Sequence, residues 1–268
     1  MSNTQNKKLV FLAGLPRSGS TVLSSLLNQN PLIYASKTSP LIDMLNVMQE
    51  GWLKYFNNWT PEERNPVLAN ISSTLLANFW NHVDKPVVFD KHRAWARNIG
   101  GLRSLFGETV QVVATVRPVE AVLASFIKLI KQNPGNNYVD RDLLKEKRQL
   151  SLENRCDVLW KTYVSDPWTS LRIGLNEFPE NMYLVDYDSL CSNPTDVLNK
   201  LYTDLGLEPF DHVFDNIANN LNEVDESWGL LGLHDIRSTL SNTAAKPSDV
   251  LTPALCEQYS KYNFWTTS

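Results

Sequence analysis

Cysteine is scarce in this chain. Three residues in 268, Cys156, Cys191 and Cys256, stand far apart. So sparse and odd a set excludes a disulfide framework, and its spacing fits no metal site. Reduced thiols in a cytoplasmic setting are expected. Long apolar runs are also missing. None reaches the roughly 18 residues that a membrane helix needs. Lys7-Lys8 before Leu9 to Leu15 faintly mimics a secretion signal, but the run is short and Pro16-Arg17 follows, so a core strand explains it better. There is no excess of positive charge: 25 basic residues face 29 acidic ones, for a formal charge of −4. Nucleic acid, which calls for a basic footprint, is not an expected partner. No repeat or low-complexity linker divides the chain. The sequons at Asn58 and Asn70 carry no weight in a cytoplasmic protein.

What is present is a core and a loop. Hydrophobic residues make up 43% of the chain, enough for one large α/β domain spanning residues 1–268. Leu9 to Ala13 reads as a buried parallel strand. A tight loop, Gly14 to Ser20, follows, and then Val22, Leu23, Leu26 and Leu27 recur at helical spacing. Strand, glycine-bearing loop and helix together make a phosphate cradle, because loop amides and the positive helix end converge on one spot. A nucleoside-triphosphatase loop reads G-x-x-x-x-G-K-[ST]. Here Gly14, Gly19 and Thr21 keep their places, but Ser20 replaces the lysine and the cation moves upstream to Arg17.

Further along, Pro86 to Asp90, Thr109 to Val116 and Met182 to Asp186 read as strands. Leu41 to Lys54, Glu62 to His82, Pro118 to Lys131 and Pro194 to Leu205 read as helices. Pro134-Gly135-Asn136-Asn137 reads as a turn, and Leu143 to Phe178 as a long helical stretch interrupted near Asp166-Pro167. Strands alternating with helices imply a parallel sheet with crossover helices, and ligands then bind beyond the carboxyl ends of the strands. Arg117 falls directly after the strand ending at Val116, with Ser125 two helical turns on. A guanidinium and a hydroxyl are thus offered near one pocket, the arginine as a planar fork for phosphate oxygens.

Gly-Leu-Pro-Arg-Ser-Gly-Ser-Thr, residues 14–21, resembles the 5′-phosphosulfate loop of sulfotransferases that use 3′-phosphoadenosine 5′-phosphosulfate (PAPS). The arginine variant is similar to that of tyrosylprotein sulfotransferases and of bacterial and phage relatives. Arg117 and Ser125 resemble the family's arginine and serine that hold the 3′-phosphate. The resemblance implies a three-layer, P-loop-like parallel sheet flanked by helices, with PAPS as cofactor and 3′-phosphoadenosine 5′-phosphate (PAP) as product. It implies cofactor contacts from Arg17, Ser18, Gly19, Ser20, Thr21, Arg117 and Ser125. Val185 to Leu190, before Asn193-Pro194, resembles the segment whose tyrosine contacts the nucleotide, which points to Tyr187. Arg237-Ser238-Thr239 and Ala245-Lys246-Pro247 lie in a polar segment similar to a loop that closes over the cofactor, which points to Lys246.

Sulfuryl transfer rests on positioning and charge stabilisation, with no need for a metal, and no carboxylate pair marks a metal site. Arg17 is the expected stabiliser, with Lys91 as a second cation. For the base, the family offers two patterns. Tyrosylprotein sulfotransferases carry a glutamate soon after the first helix, but Tyr34 to Pro40 contains no acid. Small-molecule sulfotransferases place Lys-x-His at the end of a middle strand, where Phe89-Asp90-Lys91-His92-Arg93 stands here. His92 is the first candidate for base, followed by Asp90 and then Asp43. Trp52, Tyr55, Phe56 and Trp59 either line an acceptor pocket or simply pack. The acceptor is left open: a small metabolite, a glycan, a lipid or a protein. A small-molecule kinase and a degenerate nucleotide binder are the alternatives.

Overall fold

The computed structural model describes residues 7–55, 58–135, 137–226, 229–241 and 246–267. The first unit is β1 (Lys8–Gly14), the loop, and α1 (Ser20–Leu27). The chain continues through β2 (Ile33–Thr38), α2 (Leu41–Tyr55), α3 (Pro61–Asn78), β3 (Val87–Lys91), α4 (Ile99–Phe106) and β4 (Val112–Val116). Then come α5 (Val119–Gln132), α6 (Tyr138–Lys145), α7 (Leu152–Leu159), α8 (Ser165–Glu177), β5 (Met182–Asp186), α9 (Tyr187–Ser192), α10 (Pro194–Asp204) and α11 (Pro253–Ser260).

 The five strands run parallel in the order β2-β3-β1-β4-β5, and helices cover both faces.

Strand alternation divides the core into two layers. On one face Phe11, Ala13, Val112 and Ala114 pack with α5, with α7 (Leu152–Leu159) and with Trp95. On the other, Val10, Leu12, Phe89 and Val113 pack with Leu23, Leu26 and Leu27 of α1 and Leu198 and Leu201 of α10. This is the expected three-layer α/β sheet, with near-continuous apolar strands because both faces are covered. β1 lies between β3 and β4, and the connections leave it in opposite directions, so the crevice opens where β1, β3 and β4 end.

Among the differences from the sequence reading, two stand out. β2 was not anticipated: Ile33-Tyr34-Ala35-Ser36-Lys37-Thr38 is an edge strand, bonded to β3 on one side, whose strand-favouring Ile33, Tyr34 and Thr38 are interrupted by Ala, Ser and Lys. The long helical stretch is broken earlier than Asp166-Pro167. The chain leaves the helix between α6 and α7, where Lys147 takes a φ of 56°.

 Pro167 then sits inside α8, and the π turn Trp160–Val164 just before it absorbs the hydrogen bond that a proline cannot donate. Asn136 of the predicted turn lies outside the described residues.

The loop after β1 is fixed by its neighbour strand. Leu15 donates its N–H to the Thr115 carbonyl at 3.1 Å. The fully buried Ser18 hydroxyl reaches Leu15 O at 2.6 Å and Thr115 Oγ1 at 2.7 Å. Gly14 has a φ of 137°, and a Cβ there would meet the Thr115 carbonyl oxygen at 2.4 Å. Gly14→Ala is therefore expected to lower the unfolding free energy by about 3 kcal/mol, from backbone strain and overpacking together. Urea unfolding checks it.

Candidate active site

Helix α1 begins at Ser20 without a side-chain cap: its N-cap is Gly19, at φ 91°, and no acid lies in its first turn. The leading amides are left for an anion. A cavity of about 590 Å³ opens in front of them, lined by Gly19, Ser20, Thr21 and Val22. Tyr187, aimed by the Asp186 carboxylate that caps α9 through Ser189 N at 2.8 Å, lies against Gly19. A Cβ on Gly19 would meet the Tyr187 ring at 2.4 Å, so a glycine is needed here for close approach as well as for its φ.

Two arginines meet over this loop. Arg17, in the left-handed region at φ 58°, turns back so that its Nε donates to Ser125 Oγ at 3.2 Å. Its Nη1 donates to the Leu233 carbonyl. Burial and nearby Arg117 lower its pKa, while Tyr187, Asp225 and Asp235 work the other way. Arg117 is 7% exposed and stacks on Tyr187, with its guanidinium carbon 4.6 Å from the ring centroid. Its Nη1 donates to the Arg17 carbonyl at 3.4 Å, and its buried Nε has no partner. Along α5, Ala121, Ser125, Lys128 and Gln132 form one face of the cavity, with the small alanine leaving room. The opposite wall is the irregular segment from Leu231 to Ser241, pinned to α5 where Leu231 N donates to Asn133 Oδ1 at 3.1 Å. Arg17, Arg93, Arg117, Lys128 and Arg237 line the cavity against a single carboxylate, Asp235. Among the described residues no cluster of three His, Cys, Asp or Glu side chains could hold a metal ion.

The structure thus brings Arg17, Gly19, Ser20, Thr21, Arg117, Ser125 and Tyr187 to one cavity. Ser18 is beside them, but its hydroxyl is spent on the fold. Lys246 is exposed at the start of a short turn and is not part of the cavity wall, whereas Arg237 is; Ala245 lies outside the described residues.

The end of β3 sends its polar residues apart. Asp90 is fully buried, accepting from Trp80 Nε1 at 2.7 Å and Trp95 Nε1 at 2.8 Å. Burial raises its pKa against the bonds from Ser39 and the two indoles. Lys91 is 6% exposed, with its ammonium 2.5 Å from Glu223 Oε1. Burial pulls the lysine below its ordinary value although Glu223 opposes this. Burial also works against the Glu223 charge, but Lys91 outweighs it and holds that carboxyl low. His92 accepts from Ala94 N at Nδ1, 3.2 Å, and turns Nε2 to Asp43 at 3.4 Å. Burial lowers its pKa, with Asp43 opposing, and neither His92 nor Asp43 lines the cavity. Trp52 and Trp59 stack edge to face at 6.1 Å and do not line it either; Tyr55 is exposed, and Phe56 lies outside the described residues.

Residues that sequence reasoning missed come from the closing wall and from the segment just before it. Glu223 takes a hydrogen bond from Thr38 at the end of β2, 3.1 Å, so an acid does reach the strand end whose own sequence has none. His234, in the cavity wall, faces Glu223 at 3.4 Å and Asp225 at 2.5 Å. No periodicity or motif announces them.

A capless helix end, a wrapped loop and clustered arginines mark an α/β protein with a cation-lined cavity at the strand ends. Residues 10–212 match the sulfotransferase family, and the chain belongs to it. Three solved structures share the fold. The sulfotransferase domain of the Synechococcus PCC 7002 olefin synthase has a TM-score of 0.55 and 19% identity, covering 96% of this chain and 94% of its own. Mouse sulfotransferase SULT7A1, complexed with PAP, has a TM-score of 0.54 and 12% identity, covering 96% and 83%. STF9 from Mycobacterium avium has a TM-score of 0.51 and 13% identity, covering 98% and 77%. No curated protein matches the chain.

Asp90→Asn would set an amide N–H₂ against one indole donor. A loss of about 2 kcal/mol in urea unfolding is expected, the cost of one unsatisfied buried donor. Unchanged stability would remove Asp90 as an anchor of the fold.

Proposed function

We propose that this chain transfers a sulfuryl group from PAPS to a hydroxyl or amine of an acceptor. One observation carries the reading. Arg17 of the first motif bonds Ser125 of the second at 3.2 Å, across 108 residues of sequence, within a single cation-lined cavity. The cavity suits a nucleotide with anions at two positions. The amides of Gly19, Ser20 and Thr21 and the Arg17 guanidinium face one end, where the 5′-phosphosulfate would be held. Arg117 and Ser125 would hold the 3′-phosphate, and the unpartnered Arg117 Nε is a donor in want of an acceptor. Tyr187, stacked on Arg117 and against Gly19, is a wall for the nucleotide.

When bound, PAPS supplies an activated sulfuryl group on a phosphate leaving group. Arg17 and the loop amides stabilise the charge that develops there; they are set in place beforehand and need no reorganisation. The absence of lysine at Ser20 disfavours a kinase, since nothing in the loop replaces the cation that reaches the β- and γ-phosphates. Free thiols at Cys156, Cys191 and Cys256 support a reducing, cytoplasmic setting. Among the described residues no helix is long and apolar enough to cross a membrane.

Calorimetric titration with PAP and, in parallel, with Mg-ATP tests the reading. PAP is expected to bind and Mg-ATP not; preference for Mg-ATP would turn the assignment to a kinase. Arg117→Ala is expected to weaken PAP by ten- to a hundredfold, the value of about 1.5–3 kcal/mol for a hydrogen bond to a charged group. Arg17→Ala is expected to lower turnover, by about a hundredfold or more, further than it lowers affinity. Equal losses of binding in both variants would sink that division of labour.

A further inference from the structure

We propose that His234, held by Asp225, is the general base of this enzyme, and that Lys91 and Glu223 position it. The inference rests on the sulfotransferase reading above. With Lys91 aligned to the lysine of the Lys-x-His pattern, the base position falls on Arg93. An arginine stays protonated and takes no proton. His92, one residue earlier, is turned to Asp43 and away from the cavity. The imidazole that does line the cavity is His234.

Its placement is built. The Arg17 guanidinium bonds the carbonyl of Leu233, the preceding residue, so His234 is tied to the side chain expected to face the sulfuryl group. Asp225 grips it twice, accepting from the backbone N–H at Oδ2, 3.1 Å, and from Nδ1 at Oδ1, 2.5 Å. The carboxylate at Nδ1 accepts a proton carried there, and Nε2 is the nitrogen that takes the second proton, where Glu223 receives the charged ring. Beyond Nε2, at 3.4 Å, is Glu223 Oε2, whose other oxygen is neutralised by Lys91 and whose orientation is fixed by Thr38. Glu223 is 9% and Lys91 7% exposed at the side chain, so the pair is shielded from solvent.

In the step, the acceptor oxygen forms its bond to sulfur while the bond from sulfur to the phosphate oxygen breaks. The electron pair of that bond leaves with PAP. The hydroxyl proton passes to His234 Nε2, and the resulting imidazolium lies between Asp225 and Glu223, which stabilise it. Glu223 does not touch the acceptor in this scheme. It and Lys91 act through His234.

Three measurements on the full chain test this. The first needs no acceptor: ¹⁵N spectra of the imidazoles at neutral pH, with the His234 signals assigned by their loss in His234→Gln. A proton on Nδ1 is expected. A bare Nδ1 would overturn the proposal. The second is PAP affinity by calorimetry. No PAP binding by the unsubstituted chain would defeat the sulfotransferase reading itself and leave the ring assignment standing. PAP affinity lost only in His234→Ala would make His234 a cofactor ligand and overturn its role as base. The third is PAP release from PAPS with 2-naphthol and with water as acceptors. His234→Ala is expected to slow it by about a hundredfold or more, with partial rescue by added imidazole. Undiminished release in His234→Ala, or a loss confined to Glu223→Gln, would also overturn it.

Discussion

Everything at this site depends on one half-buried cation, Arg17. Its side chain ties the β1 loop to α5 through Ser125 and to the closing segment through the Leu233 carbonyl. To do so the residue adopts a left-handed backbone, which costs a non-glycine residue about 1 kcal/mol or more. Two features hold it there. Ser18 locks the loop to β4, and Arg117 bonds the Arg17 carbonyl. The two motifs are therefore not separate binding elements that happen to be near each other. Each completes the geometry of the other, and strain at Arg17 is offset by bonds from residues about 100 positions away.

Much of the fold was legible because parallel strands buried on both faces are written as apolar runs. Leu9 to Ala13 and Met182 to Asp186 could be read within a residue of their ends. β2 could not. An edge strand with one bonded neighbour needs little apolar sequence, and Tyr-Ala-Ser-Lys-Thr offers little. The loop motif was legible for a different reason. Left-handed backbone, close packing against Thr115 and a capless helix start each demand a particular residue, so the local sequence carries the geometry. The closing wall demands nothing comparable. Its contacts are single polar bonds from irregular backbone, such as Leu231 to Asn133, and these leave no period in the sequence.

The end of β3 shows why neighbouring residues are hard to assign from sequence. Asp90 and Phe89 point to opposite faces, so Asp90 meets Trp80 and Trp95 in one layer while Phe89 belongs to the other. Lys91 returns to the opposite side from Asp90 and finds Glu223, 132 residues away. His92 lies past the strand and follows the turn toward Trp95, whose N–H bonds the His92 carbonyl. Three adjacent polar residues thus meet three different environments. Their chemistry follows from where β3 ends, a boundary that sequence fixes only loosely.

The segregation of charge follows from the same construction. The chain is acidic overall, at −4, yet among the described residues its cavity carries five basic side chains and one acid. Cations so placed repel one another, as Arg117 does Arg17, and burial worsens the balance. The opposing charges come from the closing wall itself, Asp235, and from the segment just before it, Asp225 and Glu223. Counter-charge and closure are therefore supplied by adjacent stretches of chain. Arg17 is thereby opposed by carboxylates while Ser125 and the Leu233 carbonyl fix its guanidinium. A pocket organised this way gains from an incoming polyanion by adding charge complementarity to geometry that is already present, and that is the condition under which fixed dipoles and cations lower a barrier most.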